Sequence, residues 1–380
     1  MTALALTALC GLAACDRGGA APAEAAEAAA ADRVIASVLP LTRDSGGVRV
    51  AMDSLQALVA RDDGLRKRGH HLAHSLGRLA VAERRSLSVL GECTPVFQSG
   101  CFHGAMEGFF LNGGTAGPAS VHGICPQRPG PGQPGYEVLE CWHGLGHGLM
   151  VQSRGDIRQA LPLCDALQSP AWRRECQDGV FMERAVRAAA PAPAAAADGD
   201  AHGAHGDPAP SAAPLSTAQL QQLCSGVDVR YQPSCWLYQP AILVGVHGLD
   251  PGPVLRACDG APAAAVRECY RGYGKTFLAA RSGDTRGMIR ACRGGDRARA
   301  TDCLLGGVEY FTDLAWTAEP GIAFCRQLST DAKPACYEMI GARLALIHPD
   351  PQPAAAACRT VERGLVEACL AGLRRGREAV

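Results

Sequence analysis

Sixteen of the eighteen cysteines in this chain form eight close pairs, and from Cys224 onward the pairs keep a fixed period. The last five are Cys224 with Cys235, Cys258 with Cys269, Cys292 with Cys303, Cys325 with Cys336 and Cys358 with Cys369, each with ten residues between its members. Their first cysteines lie 34, 34, 33 and 33 residues apart, the period of a helical-hairpin array. The pairs Cys93 with Cys101, Cys125 with Cys141 and Cys164 with Cys176 are looser copies of the same unit. A single hairpin cannot bury its own apolar face, so it must stack on its neighbours. The expected fold is therefore all-α: an α/α-hairpin solenoid of about nine repeats of 33–34 residues, mostly stapled by disulfides.

Turn chemistry supports two helices per unit. In one unit, residues 253–258 form the first helix, Asp259-Gly260-Ala261-Pro262 breaks it, and residues 263–280 form the second. The first cysteine ends helix A and the second opens helix B. A disulfide there closes a short loop and stabilises the hairpin by about 3 kcal/mol in the chain-entropy model. Second helices are expected to begin near Leu65, Ser99, Leu139, Ala171, Ser234, Ala263, Ala298, Asp331 and Gly364.

The formal net charge of zero removes any general electrostatic attraction to nucleic acid. Sixteen regularly spaced cysteines with no Cys-x-x-Cys speak for structural disulfides and an oxidising compartment, and against zinc ribbons or covalently attached haem. The apolar residues 1–12 run into Leu12-Ala13-Ala14-Cys15, which resembles the lipobox of bacterial lipoproteins. That resemblance implies a signal peptide at 1–14, lipid on Cys15 and a place on the periplasmic face of a membrane. Asp16 after the lipidated cysteine would favour the inner membrane. Residues 15–47 then read as a flexible Ala-rich tether, 48–187 as N-terminal repeats, 188–214 as a disordered Ala/Pro/Gly/His insertion and 215–380 as C-terminal repeats. In length and layout the array is similar to Sel1-like and tetratricopeptide repeats. This implies a curved scaffold with a groove for a periplasmic protein partner.

Alignment of the second helices on their cysteines separates packing positions from chemical ones. Three residues past the cysteine, Gly recurs as Gly104, Gly144, Gly179, Gly272, Gly306 and Gly372, as close helix approach requires. The positions two and six past the cysteine share one face. In the late units they read Leu237/Ala241, Arg271/Lys275, Leu305/Glu309, Glu338/Ala342 and Ala371/Arg375, a solvated or partly buried groove face. In the early units they become His103/Glu107 and His143/His147, and one helix earlier His70/His74 repeats the four-residue spacing.

Imidazole and carboxylate at i, i+4 point the same way from adjacent turns, as in helical zinc and di-metal sites. His70, His74, His103, Glu107, His143 and His147 are thus candidate ligands for one or two ions of Zn, Fe, Mn or Cu, with b-type haem a lesser alternative. His71 competes with His70 for the inward position. Asp178/Met182 continue the same positions as a surface Asp and a core Met, while His122, His202 and His205 lie in loops. No catalytic Ser/His/Asp set, phosphate loop or dinucleotide fingerprint is present, so a metal centre of undetermined reaction competes with a non-catalytic interaction scaffold.

Overall fold

The computed structural model describes residues 20–44, 46–130, 135–189, 218–219, 222–314 and 316–379. The expected signal peptide, Cys15, His202, His205 and most of the 188–214 insertion lie outside these residues. Among the described residues every regular element is helical.

Helix α1 (Ala20–Val38) precedes the array. The hairpins then run α2 (Gly47–Val59) with α3 (Asp63–Arg84), a 3-10 segment Leu87–Glu92 with α4 (Gly100–Leu111), and a short turn Val121–Gly123 ahead of α5 (Gly135–Gln152). They continue as α6 (Ile157–Asp165) with α7 (Pro170–Ala189), then α8 (Gln232–His247), then α9 (Pro251–Asp259) with α10 (Val266–Ala280). The last units are α11 (Thr285–Ala291) with α12 (Ala300–Asp313), α13 (Glu319–Cys325) with α14 (Lys333–Ile347), and α15 (Pro351–Cys358) with α16 (Val366–Ala379). The second helices start within a few residues of the positions expected from sequence. The first helices are capped by aspartates: the side chains of Asp156, Asp250, Asp284 and Asp350 each accept a first-turn N–H.

One expectation needs correcting at the N-terminus. Residues 20–38, read as part of a flexible tether, are helical, because Ala is the strongest helix former and Val34, Ile35 and Val38 form a stripe that packs against the first core cluster.

All eight expected cysteine pairs are disulfides, with Cα–Cα separations between 5.4 and 5.8 Å. In the early units Cys101 is bonded to Cys93, Cys141 to Cys125 and Cys176 to Cys164. In the regular units Cys235 is bonded to Cys224, Cys269 to Cys258, Cys303 to Cys292, Cys336 to Cys325 and Cys369 to Cys358. As expected, the second cysteine of each regular pair lies in the first turns of a second helix: Cys235 in α8, Cys269 in α10, Cys303 in α12, Cys336 in α14 and Cys369 in α16.

The staples sit at the turns of the hairpins, and the residue after the second cysteine is in many units part of the core. Phe102, Trp142, Trp236, Tyr270 and Tyr337 occupy that position and are all buried. The hydroxyl of Tyr270 donates to Asp259 at 2.6 Å, tying helix to turn. This aromatic position was not singled out by the cysteine alignment, although it stands beside the cysteine in five units.

Successive second helices touch through backbone. A Cβ added at Gly104, Gly272 or Gly372 would fall 1.9, 1.9 or 1.8 Å from the carbonyl oxygen of His74, Leu237 or Glu338 on the preceding helix. In return, a Cβ at Gly146, Gly274 or Gly341, five residues past the cysteine, would strike the carbonyl of the next helix's cysteine at 2.1, 2.1 or 1.8 Å. Such reciprocal contacts draw the helices together and turn the face two and six past the cysteine toward a common interior.

The array curls until its early and late units meet. Leu139 on α5 packs with Ile347 on α14 and with Trp316, whose ring stacks on Tyr136 at 5.7 Å. Trp316 Nε1 donates to Ser99 Oγ at 3.2 Å, and the Arg343 guanidinium lies 4.9 Å from the indole centroid. No helix among the described residues is long and apolar enough to cross a membrane.

The backbone contacts predict a sharp contrast between two glycines. Gly341→Ala meets the Cys369 carbonyl and should destabilise the array by about 1–3 kcal/mol or more. Gly364→Ala, whose Cβ meets nothing within 4 Å, should stay within about 0.5 kcal/mol of the wild type in urea unfolding.

Candidate metal centre

The contacts between second helices fix the register of α3, which lacks a cysteine. Because the His74 carbonyl seats Gly104 as the Leu237 carbonyl seats Gly272, His74 occupies the position two past the missing cysteine. The pair His70/His74 is therefore one turn out of register with His103/Glu107 and His143/His147. His74, His103 and His143 form one row, and His70 lies one turn before it. His70 is the inward histidine of its dipeptide; His71 is exposed.

All six expected ligands converge. Ring centroids of His70 and His74 are 4.7 Å apart, His74 and His103 5.1 Å, His103 and His143 5.0 Å, and His103 and His147 4.5 Å in a stacked pair. The curl is tight enough to bring the first and third of these helices together, with His74 and His147 only 5.8 Å apart. Three groups offer ligand atoms within 4.8 Å of one another: His70/His74/His103, His103/His143/His147 and Glu107/His147/Glu183. Two donors about 2.1 Å from one tetrahedral ion lie about 3.4 Å apart. The His74 Nε2 to His103 Nδ1 distance of 3.2 Å and the His147 Nδ1 to Glu183 Oε2 distance of 3.1 Å fall close to that figure.

The two nitrogens of each ring are used differently. Nδ1 of His70 donates to the Phe97 carbonyl at 2.8 Å. Nδ1 of His74 is 3.4 Å from Glu107, that of His143 is 3.8 Å from Glu175, and that of His147 is 3.1 Å from Glu183 and 3.8 Å from Glu107. A ring whose Nδ1–H points at a carboxylate keeps its lone pair on Nε2, the arrangement found around metal-bound histidines. Nε2 of His103 and of His147 is buried with no hydrogen-bond partner.

Burial is severe for these groups. His103 is 3% and His147 1% exposed. Desolvation, reinforced by neighbouring imidazoles, holds His103 well below the ordinary histidine range, and holds His70 and His143 down to about 3. These three rings are neutral at any ordinary pH, as metal ligation requires. Burial would push the Glu183 carboxyl up, but the hydrogen bond from His147, helped by Arg187, brings it down to about 2. Glu140 goes the other way: burial, with the like charges of Asp313 and Glu175, pushes it up to about 8, so it is protonated beside His103 Nε2, 3.4 Å away.

Glu140, Glu175 and Glu183 were not among the sequence candidates. A signal for them exists. Glu140 and Glu175 immediately precede Cys141 and Cys176, one turn before the row of histidines, and Glu183 follows Met182. The chemical face is simply wider than the two positions used to find it. Two other expectations change. Asp178 is buried and paired with Arg174 at 2.9 Å, rather than on the surface. Met182 is only half-buried, with its sulfur 3.4 Å from His143 Nε2. His122 sits in the Val121–Gly123 turn and belongs to none of the three groups.

The late units show the partly buried or solvated face expected of them. What the sequence does not show is that its charged groups are paired in a lattice, around α7, α10, α12 and α14 on partly buried side chains and at the end of the array on exposed ones. Arg271 pairs with Glu268 and, at 3.1 Å, with Glu309. Lys275 pairs with Asp313 at 2.8 Å, Arg343 pairs with the same carboxylate, and Arg375 pairs with Glu338. Arg174 reaches Glu268 at 3.7 Å, joining the lattice to α7. A cavity of about 560 Å³ between α5, α7 and α14 is lined by Val138, Leu139, Trp172 and Leu346 among others, and by none of the imidazoles.

Asp313 is the node of this lattice. Burial alone would raise its carboxyl, but the charges of Arg343 and Lys275 hold it below the usual carboxylate range. Asp313→Asn leaves two enclosed cations unpaired and should cost about 3 kcal/mol in urea unfolding at pH 7. The folded pKa is depressed, so this stabilisation is complete above the unfolded carboxylate value of about 3.9 and is lost as pH falls through the lower folded value. The variant should therefore lose less stability than the wild type below about pH 4. No protein-family model, curated protein or solved structure matches this chain.

Proposed function

We propose that this chain is an exported metalloprotein, tethered to a membrane through lipid on Cys15, that holds one or two first-row transition-metal ions among its first four interior helices. The observation that carries the proposal is the meeting of His103, His143 and His147 with buried, unpartnered Nε2 atoms on two of them, while carboxylates stand at Nδ1 of His143 and His147. Leaving a buried nitrogen lone pair without a donor costs free energy, and an ion removes that cost. The first ion takes the three imidazoles, with Glu175 and Glu183 orienting the rings. His70/His74/His103 and Glu107/His147/Glu183 supply the neighbouring position for a second. Imidazole with carboxylate suits Zn, Fe, Mn and Cu. Export is supported by the eight disulfides, which persist in oxidising compartments, and by the lipobox-like residues at 12–15.

Metal analysis of the purified protein, dialysed against each ion in turn, should give about one to two equivalents. The double variant His103→Ala/His147→Ala should abolish binding at the three-imidazole position. Glu183→Gln, which removes an orienting carboxylate but no imidazole, should weaken binding about 10- to 100-fold. Exposed His71→Ala should bind as the wild type does. A wild type that stays metal-free with every ion would contradict the proposal.

A further inference from the structure

We infer that the three-imidazole position is completed by the thioether of Met182 and selects copper(I). This rests on the proposal that His103, His143 and His147 hold an ion, and it adds the identity of the metal. Met182 lies six past Cys176 on α7, in the same row as Glu107 and His147, so the repeat places it on the chemical face. Its Sδ is 3.4 Å from His143 Nε2, the spacing of two donors around one ion. The other nitrogen of that ring, Nδ1, faces Glu175 at 3.8 Å, so in the tautomer with its proton on Nδ1 the Nε2 lone pair is on the sulfur side.

The surrounding chemistry points the same way. The Nε2 atoms of His103 and His147 are buried without hydrogen-bond partners, and one ligand nitrogen of each lies within 4.8 Å of the other and of one from His143. Three imidazole nitrogens and a thioether bring no negative charge of their own. A monovalent ion that accepts soft donors and few ligands fits such a set better than a divalent ion that prefers oxygen. The bland explanation, a methionine filling space, predicts a sulfur surrounded by apolar side chains. Here the residue is half-buried and its sulfur faces an imidazole. The carboxylate-rich group Glu107/His147/Glu183 on the other side of His147 would keep its preference for divalent ions, so the cluster has a soft side and a hard side.

The test supplies Cu(I) anaerobically from its complex with bicinchoninate to wild type, Met182→Leu and His71→Ala, and separately supplies Zn(II). Wild type should withdraw one Cu(I) from the chelator, and X-ray absorption of that sample should show one sulfur neighbour. Met182→Leu, close in shape to methionine, should lose the sulfur neighbour and bind Cu(I) at least tenfold more weakly, with its Zn(II) content unchanged. Exposed His71→Ala should keep the Cu(I) behaviour of the wild type. If Met182→Leu holds Cu(I) as tightly as wild type, or if the wild-type spectrum shows no sulfur, the copper assignment fails while the metal centre stands. If the wild type takes neither ion, the centre itself fails and the copper assignment fails with it.

Discussion

The whole structure depends on how closely the second helices approach one another. A glycine three past the cysteine accepts the carbonyl of the preceding helix at distances no side chain would permit, and a glycine five past the cysteine receives the next helix in the same way. Ordinary helix pairs keep their axes about 8–10 Å apart because side chains stand between them. Removing those side chains lets successive second helices approach more closely than that, while disulfides and buried aromatics hold each hairpin at its turn. The curl brings α5 against α14 and encloses the face that would otherwise be an open groove.

Enclosure decides the chemistry of that face. Polar groups removed from water must find partners, and the two halves of the chain meet this demand in different ways. The late units place Arg271, Lys275 and Arg343 against Glu268, Glu309 and Asp313, so each of these cations has a carboxylate. The early units place imidazoles at the corresponding positions, and the Nε2 atoms of His103 and His147 are buried without a hydrogen-bond partner. Neutral rings avoid the cost of buried charge, but they leave lone pairs without donors. A fold seeking only stability could have continued the ion pairs through α4 and α5. Glu107, Glu175 and Glu183 stand at Nδ1 of His74, His143 and His147, and Glu183 also pairs with Arg187 at 2.7 Å.

Much of this was legible in the sequence. The cysteine period located the hairpins and paired every one of the sixteen cysteines correctly, and the glycines three past the cysteine identified the close contacts, because both features repeat at a fixed offset. The six candidate ligands met for the same reason. What escaped depended on the third dimension. The register of α3 was misjudged by one turn because it has no cysteine, and only the contact between Gly104 and the His74 carbonyl fixes it. The pairing of Arg271 and Lys275 was not legible because a sequence does not show how far an array curls, and Asp313, which neutralises two cations, lies outside the two positions compared. Glu140 and Glu183 were missed since the enclosed face spans more of each helix than an i, i+4 pair. The Ala-rich composition of α1 suits both a tether and a helix, and the deciding stripe of Val34, Ile35 and Val38 is short.

The central claim concerns a single point in space among three rings. Crystals grown with the bound metal, measured on both sides of its absorption edge, would locate the ion by anomalous scattering. The account predicts one strong anomalous peak within bonding distance of the Nε2 atoms of His103, His143 and His147, with Glu175 and Glu183 at the opposite ring nitrogens of His143 and His147. Metal-soaked crystals in which those nitrogens are joined by water or by direct hydrogen bonds, with no anomalous peak among them, would contradict it.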